Sequence, residues 1–403
     1  MDERRTAAMR VLEALEQAGY EAYLVGGCVR DFVMQRIPQD YDVATSARPE
    51  EIQTVFSHTI PTGIQHGTVT VLIRQIPIEV TTFRVESGYE DHRRPSVVHF
   101  VSSLKQDLAR RDFTMNAMAQ DLHGRMYDYF SGMEDIRAKK IRTVGNPAER
   151  FAEDPLRMVR AARFAAQFNF TLEEQTAQAM RECREECVHL SVERVAAELE
   201  KTWMSDRPSL GINIMFSSGL MEMLPPFRFW GISSAMEPGK FLPFDEVEDR
   251  IVRWAYLLAV CGTTVETVQR RVKDLRLSNA DGTAIATCFR LGTEWKPLTE
   301  REGKELLLKE GLSAVIQASH LAKLLGKASL QEQFTAWWAE MPVKHVKELA
   351  VNGRELIEHC KRPPGPWVRD TLWDLLKQTA LKQIPNQKEV LLKEGCRLGK
   401  LDS

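Results

Sequence analysis

Over residues 5–18 apolar positions fall at Met9, Val11, Leu12 and Leu15, a helical spacing, and Gly19 supplies the stop. The pattern then shortens. Ala22-Tyr23-Leu24-Val25 predicts a buried strand, Gly26-Gly27 a tight turn, and Val29 to Met34 the start of a second helix. Tyr41 to Ala44 predicts another strand, with Thr45 or Ser46 capping a helix whose first turn holds Pro49, Glu50 and Glu51. Two β-rich runs, Thr68 to Arg74 and Ile76 to Phe83, lie too close together for anything but a hairpin. Arg84 to Pro95 is polar and has no core-facing periodicity. Together these elements make roughly the first 140 residues an α/β unit.

After Gly145 apolar residues recur three and four apart, as at Leu156, Val159, Ala162, Phe164 and Phe168, so the remainder is expected to be almost wholly helical. Breaks at Pro208, Pro225-Pro226, Pro238-Gly239, Pro297 and Pro363 to Pro366 predict further subdivision. At 403 residues the chain exceeds the size of a single growing core, and two or more packed units are expected.

Composition narrows the class. With 43% hydrophobic and 27% charged residues the chain reads as an ordinary globular protein, and a net charge of −2 requires any nucleic-acid surface to be local. The seven cysteines form no CxxC pair, so neither a zinc knuckle nor a disulfide framework is expected, and a reducing, cytoplasmic setting fits. Cys183, Cys187 and His189 cluster, but they are read as partly buried side chains rather than metal ligands. The opening MDERRTAAMR lacks the apolar core of a secretion signal, and no stretch approaches the ~20 apolar residues of a membrane span, so no membrane is expected as a partner.

The sharpest chemical feature is Asp40-Tyr41-Asp42 at the mouth of a predicted strand. Side chains at i and i+2 share a face, so two hard oxygen donors reach one site, which suits Mg²⁺ and phosphoryl transfer. Alone, such a pair is commonly a solvated surface feature. Gly26-Gly27 upstream, with Arg30 and Asp31 just inside the next helix, adds a place where backbone N–H groups can approach a phosphate.

LVGGCVRD followed by QDYDVATS resembles the signature of polymerase-β-type nucleotidyltransferases, in the branch of class II tRNA nucleotidyltransferases and bacterial poly(A) polymerases. The similarity continues through Arg110-Arg111-Asp112-Phe113-Thr114-Met115-Asn116-Ala117, Glu153-Asp154-Pro155-Leu156-Arg157 and Ser191-Val192-Glu193-Arg194. Glu348 to Gly353 and Pro364 to Trp367 resemble the tail of Bacillus-type CCA-adding enzymes, so the likeness spans nearly the whole chain; residues 225–340 match least well.

The resemblance implies an α+β head of the polymerase-β-type nucleotidyltransferase fold (1–141), then an all-helical neck (142–205), body (206–298) and tail (299–403), the tail gripping the tRNA elbow. It implies that Asp40 and Asp42 bind catalytic Mg²⁺, that Gly27 and Arg30 hold a triphosphate, and that Arg111 and Asp112 contact the ribose. Glu79, on the hairpin, is a geometric candidate for a third carboxylate, with a solvated strand-end residue as the alternative. Arg157, Arg160 and Arg163 recur every third residue, as a solvated stripe or as contacts to the triphosphate or primer.

Asp154 and Arg157 are expected at i and i+3 of one helix, on one face. In such a pair the carboxylate accepts from the exocyclic amino group of cytosine or adenine, and the guanidinium donates to the adjacent ring nitrogen. Uracil and guanine place an acceptor and a donor the other way round, and two such mismatches give ~10³-fold or greater rejection.

By position, residues 84–95 match the flexible loop of family members that add A. The implied activity is addition of C, C and A to the 3′ end of tRNA from CTP and ATP, at its acceptor stem; dimerisation is left open. The alternatives are the A-adding or CC-adding half of a split pair, a poly(A) polymerase, or a silent tRNA-binding protein on the same fold. From 342 to 403 twelve Lys+Arg stand against eight Asp+Glu, an excess of four that suits an RNA backbone, whereas Trp337, Trp338, Trp367 and Trp373 are expected in the core.

Overall fold

A computed structural model describes residues 2–90, 94–232, 238–328 and 331–399. It divides into two compact units, Met1–Glu246 and Val247–Ser403.

The first unit opens with α1 (Glu3–Gln17), capped by the Asp2 side chain on the Arg4 N–H and followed by Gly19 at φ 89°. Then come β1 (Ala22–Val25), α2 (Gly27–Val33), β2 (Asp42–Thr45), α3 (Pro49–Val55), β3 (Thr59–Gly63), β4 (Thr68–Ile73) and β5 (Ile76–Thr82). Thr45 and Ser46 do not cap α3, whose N-cap is Arg48. Their hydroxyls instead tie to the Glu21 backbone, Thr45 donating to its carbonyl at 2.6 Å and Ser46 accepting its N–H at 3.0 Å. The expected hairpin is β4–β5, paired from Thr68↔Thr81 to Ile73↔Ile76. Its two turn residues, Arg74 and Gln75, have φ of 51° and 69°, the tight turn whose twist matches that of the strands.

β6 (Arg84–Glu90) and β7 (Arg94–Phe100) follow, paired antiparallel from Arg84↔Phe100 to Glu90↔Arg94. This corrects the loop expected for 84–95, of which residues 91–93 lie outside the described residues. A two-stranded ribbon needs only backbone pairing, so side-chain periodicity does not announce it. After α4 (Leu104–Ala109), β8 (Ala119–Gln120) and β9 (Met126–Tyr127) complete a seven-stranded sheet, order β3-β4-β5-β2-β1-β8-β9. All of its pairings are antiparallel except β2–β5. Val25, Ala44, Phe83, Leu108, Ala117 and Ala119 form part of a core on it.

α5 (Gly132–Arg137), β10 (Lys140–Ile141), α6 (Pro147–Glu153), α7 (Leu156–Phe168), β11 (Thr171–Leu172), α8 (Glu174–Glu182), α9 (Val192–Trp203) and α10 (Pro208–Ser217) finish the part of this unit that matters for the site. The parallel pair β10–β11 is a small departure from the all-helical neck. α10 lies so close to α7 that a Cβ on Gly211 would meet the Ala162 carbonyl at 2.9 Å.

The second unit is helical, from Arg250–Val260 to Lys388–Leu398. Its core includes Leu307, Val315, Phe334, Leu356, Trp367 and Leu375, so Trp367 is a core residue as expected, while Trp337, Trp338 and Trp373 are partly buried and pack against that core. Cys360 and Cys396 form a disulfide, contrary to the expectation of none. They stand 36 positions apart and meet at a Cα separation of 5.3 Å only because their helices pack, which no local spacing announces. Cys187 is buried, and burial pushes its thiol upward. Among the described residues no single helix is long and apolar enough to cross a membrane.

Candidate active site

Strand alternation builds one wall. Tyr41 and Val43 are buried while Asp40 and Asp42 face outward. The Tyr41 hydroxyl donates to Asp2 at 2.5 Å, which pins the segment entering β2 to the start of α1. Asp42 pairs in register with Glu79 across the parallel β2–β5 ladder, so the two carboxylates share a face of the sheet. The walls of the cleft strip Asp42 of part of its hydration, and Glu79 and Asp40 add negative charge. Despite the opposing Arg111, these effects push its carboxyl up to about 6. Among the described residues no group of three or more His, Cys, Asp or Glu is gathered tightly enough to hold a metal by itself. Asp40 and Asp42, with Glu79 beside them, are hard oxygen donors that fit a divalent cation completed by water and substrate phosphate.

Gly26 turns the chain from β1 into α2 with φ 74°, and a Cβ there would come within 2.8 Å of Arg111 Nη1. Any other residue would displace that guanidinium. Arg111 is held from behind by Asp107 at 3.4 Å, and its Nε is buried without a hydrogen-bond partner. Arg30 is buried. It donates to Asn116 Oδ1 at 2.8 Å and to Asp31 at 2.9 and 3.0 Å, and it lies 4.7 Å over the Phe168 ring.

The opposite wall is α7 with the residues leading into it. Asp154 and Arg157 do not share a helix. Pro155 disfavours helical backbone in the residue before it, and Asp154 is extended (φ −145°, ψ 99°) between α6 and α7. There Asp154 Oδ1 accepts the Leu156 N–H at 3.1 Å and Oδ2 accepts Arg194 at 2.7 Å. Arg157 donates to Glu153 at 2.6 Å and to the Arg150 and Arg110 carbonyls, both at 3.2 Å.

Arg160 forks onto Asp112 Oδ2 at 2.7 and 3.0 Å, while Asp112 Oδ1 accepts from Asn116 and from the Phe113 N–H. Burial alone would raise Asp112; Arg160 and these donors hold it down to about 2. Arg163 donates to Glu198 at 2.7 Å and Gln167 at 2.9 Å, with its guanidinium 3.9 Å from the Phe164 ring centre. The three arginines are therefore not a solvated stripe, because each faces an acid.

The two walls enclose a cavity of about 430 Å³. Gly27, Arg30, Asp42, Arg111, Asp112, Asp154, Arg157 and Arg160 all line it. Asp40 and Arg163 do not. Asp40 shares an adjoining cavity with Asp42, and Arg163 lines a third beside Asp40. Six arginines (30, 110, 111, 157, 160 and 194) against three aspartates (42, 112 and 154) give the cavity a surplus of three positive charges, suited to a polyanion such as a triphosphate. Reading the sequence did not assign Arg110, Asn116 and Arg194 to the site. They stand inside the motif runs, but their part is to hold other site residues, and sequence does not show which side chain holds which.

The Poly A polymerase head domain family matches residues 22–142, the RNA and SrmB-binding site of polymerase A residues 169–228, and tRNA nucleotidyltransferase domain 2 residues 245–394. The CCA-adding enzyme of Bacillus velezensis is 37% identical over 96% of this chain and 97% of its own length. That of Limosilactobacillus reuteri is 38% identical over 96% and 95%. The crystal structure of the Bacillus stearothermophilus CCA-adding enzyme in complex with CTP superposes with a TM-score of 0.84 at 32% identity, covering 100% of this chain and 99% of that one. With a head-domain match, relatives aligned over nearly their full length and a shared architecture, the chain belongs to the CCA-adding enzyme family.

Proposed function

We propose that this protein adds C, C and A to the 3′ end of tRNA from CTP and ATP, without a nucleic-acid template, releasing pyrophosphate. The observation that carries this reading is an arginine-lined cavity with Asp42, the register partner of Glu79, on one wall and Asp154 and Arg157 held opposite.

In this reading Asp40 and Asp42, assisted by Glu79, hold Mg²⁺. When bound, the ion neutralises triphosphate charge and activates the attacking 3′ hydroxyl. Arg30 and Arg111 hold phosphate oxygens: both line the cavity, Arg111 braced by Asp107 and Arg30 kept in place by Asp31 and Asn116. Asp112 serves the nucleotide through Arg160 and the wall it stiffens, since its lone pairs are largely taken.

Asp154 and Arg157 read the base. Asp154 has two of about four lone-pair sites engaged, and Arg157 has three of its five donors engaged. Enough remains to accept one amino proton and donate one N–H, and the groups already engaged keep both side chains from turning to suit uracil or guanine. The four regions 1–141, 142–205, 206–298 and 299–403 then act as head, neck, body and tail, with tRNA as the macromolecular substrate and the cytoplasm as the setting.

Incorporation of labelled CTP and ATP onto tRNAs ending before CCA, after C and after CC, each with Mg²⁺, tests the proposal. Completion of all three followed by a stop is expected. ATP addition to the CC-ending tRNA alone points to an A-adding enzyme, CTP addition alone to a CC-adding one, and unlimited A addition to a poly(A) polymerase.

A further inference from the structure

Two of the seven cysteines stand apart from the rest. Cys28, Cys187, Cys261 and Cys288 are buried, and burial pushes the thiols of Cys28, Cys187 and Cys288 upward, as it does that of the partly exposed Cys183. A thiol kept protonated in this way is a poor nucleophile. Cys360 and Cys396 are both partly exposed and are joined to each other. Lys361 and Arg362 follow the first and Arg397 the second, and positive charge nearby favours the thiolate that disulfide exchange requires.

The bond has one particular helix to hold. Lys388–Leu398 is the last helix of the described residues and has 11 residues, below the ~12–15 at which a helix is marginal on its own. Its start is tied down without the bond: Lys388 pairs with Glu355 at 2.5 Å, and Asn386 exchanges hydrogen bonds with the Glu348 carbonyl and the Ala350 N–H, both at 2.8 Å. In its middle Leu391 is fully buried, and Gly395 lies so near the helix Gly353–Cys360 that a Cβ on it would meet Leu356 at 2.5 Å. At its far end Arg362 donates to the Gly399 carbonyl, Gly399 lies against the Trp367 ring, and the disulfide fastens Cys396 to the end of the helix Gly353–Cys360. The loop that the bond closes is positively charged. Between Cys360 and Cys396 seven Lys+Arg stand against four Asp+Glu, most of the surplus of residues 342–403.

We propose that Cys360 and Cys396 form a reversible thiol switch in the tail. Closed, the bond holds the end of the last helix in place and fixes the basic surface that meets the RNA backbone. Opened, that end frays and the tRNA is held less tightly. The proposal rests on the nucleotidyltransferase reading above, in which residues 299–403 grip the tRNA. Disulfides in a reducing compartment serve more often as redox sensors than as permanent links. To open the bond, a thiolate of a small dithiol attacks one sulfur and forms a mixed disulfide, which the second thiol of the reductant then displaces. Two electrons and two protons pass to the cysteines, and the reductant leaves as a cyclic disulfide. To close it, a small disulfide takes up the same two electrons and two protons and leaves as two thiols.

The full chain, oxidised with glutathione disulfide or reduced with dithiothreitol and then freed of reagent, tests this beside a variant carrying both Cys360→Ser and Cys396→Ser. Alkylation followed by mass measurement labels Cys360 and Cys396 in the reduced form alone. On reduction, amide hydrogen exchange over residues 388–398 quickens roughly tenfold. KM for tRNA rises roughly threefold to tenfold, while KM for CTP and ATP is unchanged. The double variant matches the reduced wild type and responds to neither reagent. Cysteines still open to alkylation after oxidation, a tRNA KM within about twofold between the two states, or a redox response that survives in the double variant overturns the switch and leaves the function standing. A wild-type protein that extends no tRNA in either state overturns both.

Discussion

The strand edge and helix α7 face each other across one cavity and treat charge in opposite ways. On the strand edge, the Asp42 and Glu79 carboxylates have no side-chain hydrogen bond or ion pair among the described residues, and Asp40 has one long contact, 3.4 Å to Arg4. On α7 every arginine of the series is locked, Arg157 to Glu153, Arg160 to Asp112 and Arg163 to Glu198. Loss of hydration in the cleft, with the neighbouring Glu79 and Asp40 charges added to it, pushes Asp42 up to about 6. The paired arginines leave only some of their donors free, in fixed directions. In the proposed function such groups need no reorganisation when a nucleotide arrives and distinguish one base edge from another. In the proposed function, one wall is completed by its ligand and the other judges it.

The contrast can be broken at several points. Asp42→Asn keeps the shape of the strand edge and removes the charge it offers, so incorporation of every nucleotide should fall by roughly 10³-fold or more with tRNA binding unchanged; near-normal CTP addition would refute the open edge as the metal seat. Asp154→Ala acts on the judging wall. CTP and ATP should still be used, but discrimination against UTP and GTP should drop about 10²-fold, measured as ratios of kcat/KM, and unchanged ratios would remove the base-reading role.

Asp112→Asn loosens the lock on Arg160. The Asp112 carboxyl is held at about 2 in the folded chain against an ordinary 3.8, so its stabilising contribution is complete above about pH 4 and lost as pH falls through 2. Urea unfolding should show the variant less stable by roughly 2 kcal/mol at pH 7, with the difference shrinking below pH 4. A deficit that persists undiminished at pH 2 would mean packing rather than charge holds the pair. The smallest effect is expected for Glu79→Gln, which should raise the Mg²⁺ concentration giving half-maximal rate while leaving the rate at saturating Mg²⁺ nearly intact. An unchanged Mg²⁺ requirement would return Glu79 to the role of a solvated strand end.

Much of this site was legible in the chain. Strand alternation placed Asp40 and Asp42 outward around a buried Tyr41, and the short spacer set the β4–β5 hairpin that presents Glu79. The failures are equally physical. Helical periodicity carried through Glu153-Asp154-Pro155 concealed a break that Pro155 itself signals, so Asp154 was expected on a helix it only terminates. Residues 84–90 and 94–95 lack alternation yet pair as a ribbon, because backbone hydrogen bonding asks nothing of side-chain pattern.

The sequence by itself determined the order of elements, the two outward carboxylates and the residue types of the site, because these follow from periodicities of two and three to four and from turn chemistry within a few positions. Tertiary structure alone decided the pairings. Arg194 meets Asp154 across 40 positions, Arg160 meets Asp112 across 48 and Arg30 meets Asn116 across 86. Cys360 meets Cys396 across 36. A local pattern fixes which face a side chain takes, but its partner is set by how the helices pack on one another and on the sheet. Those pairings turn a set of arginines and aspartates into one wall that is braced, facing another whose carboxylates are left open.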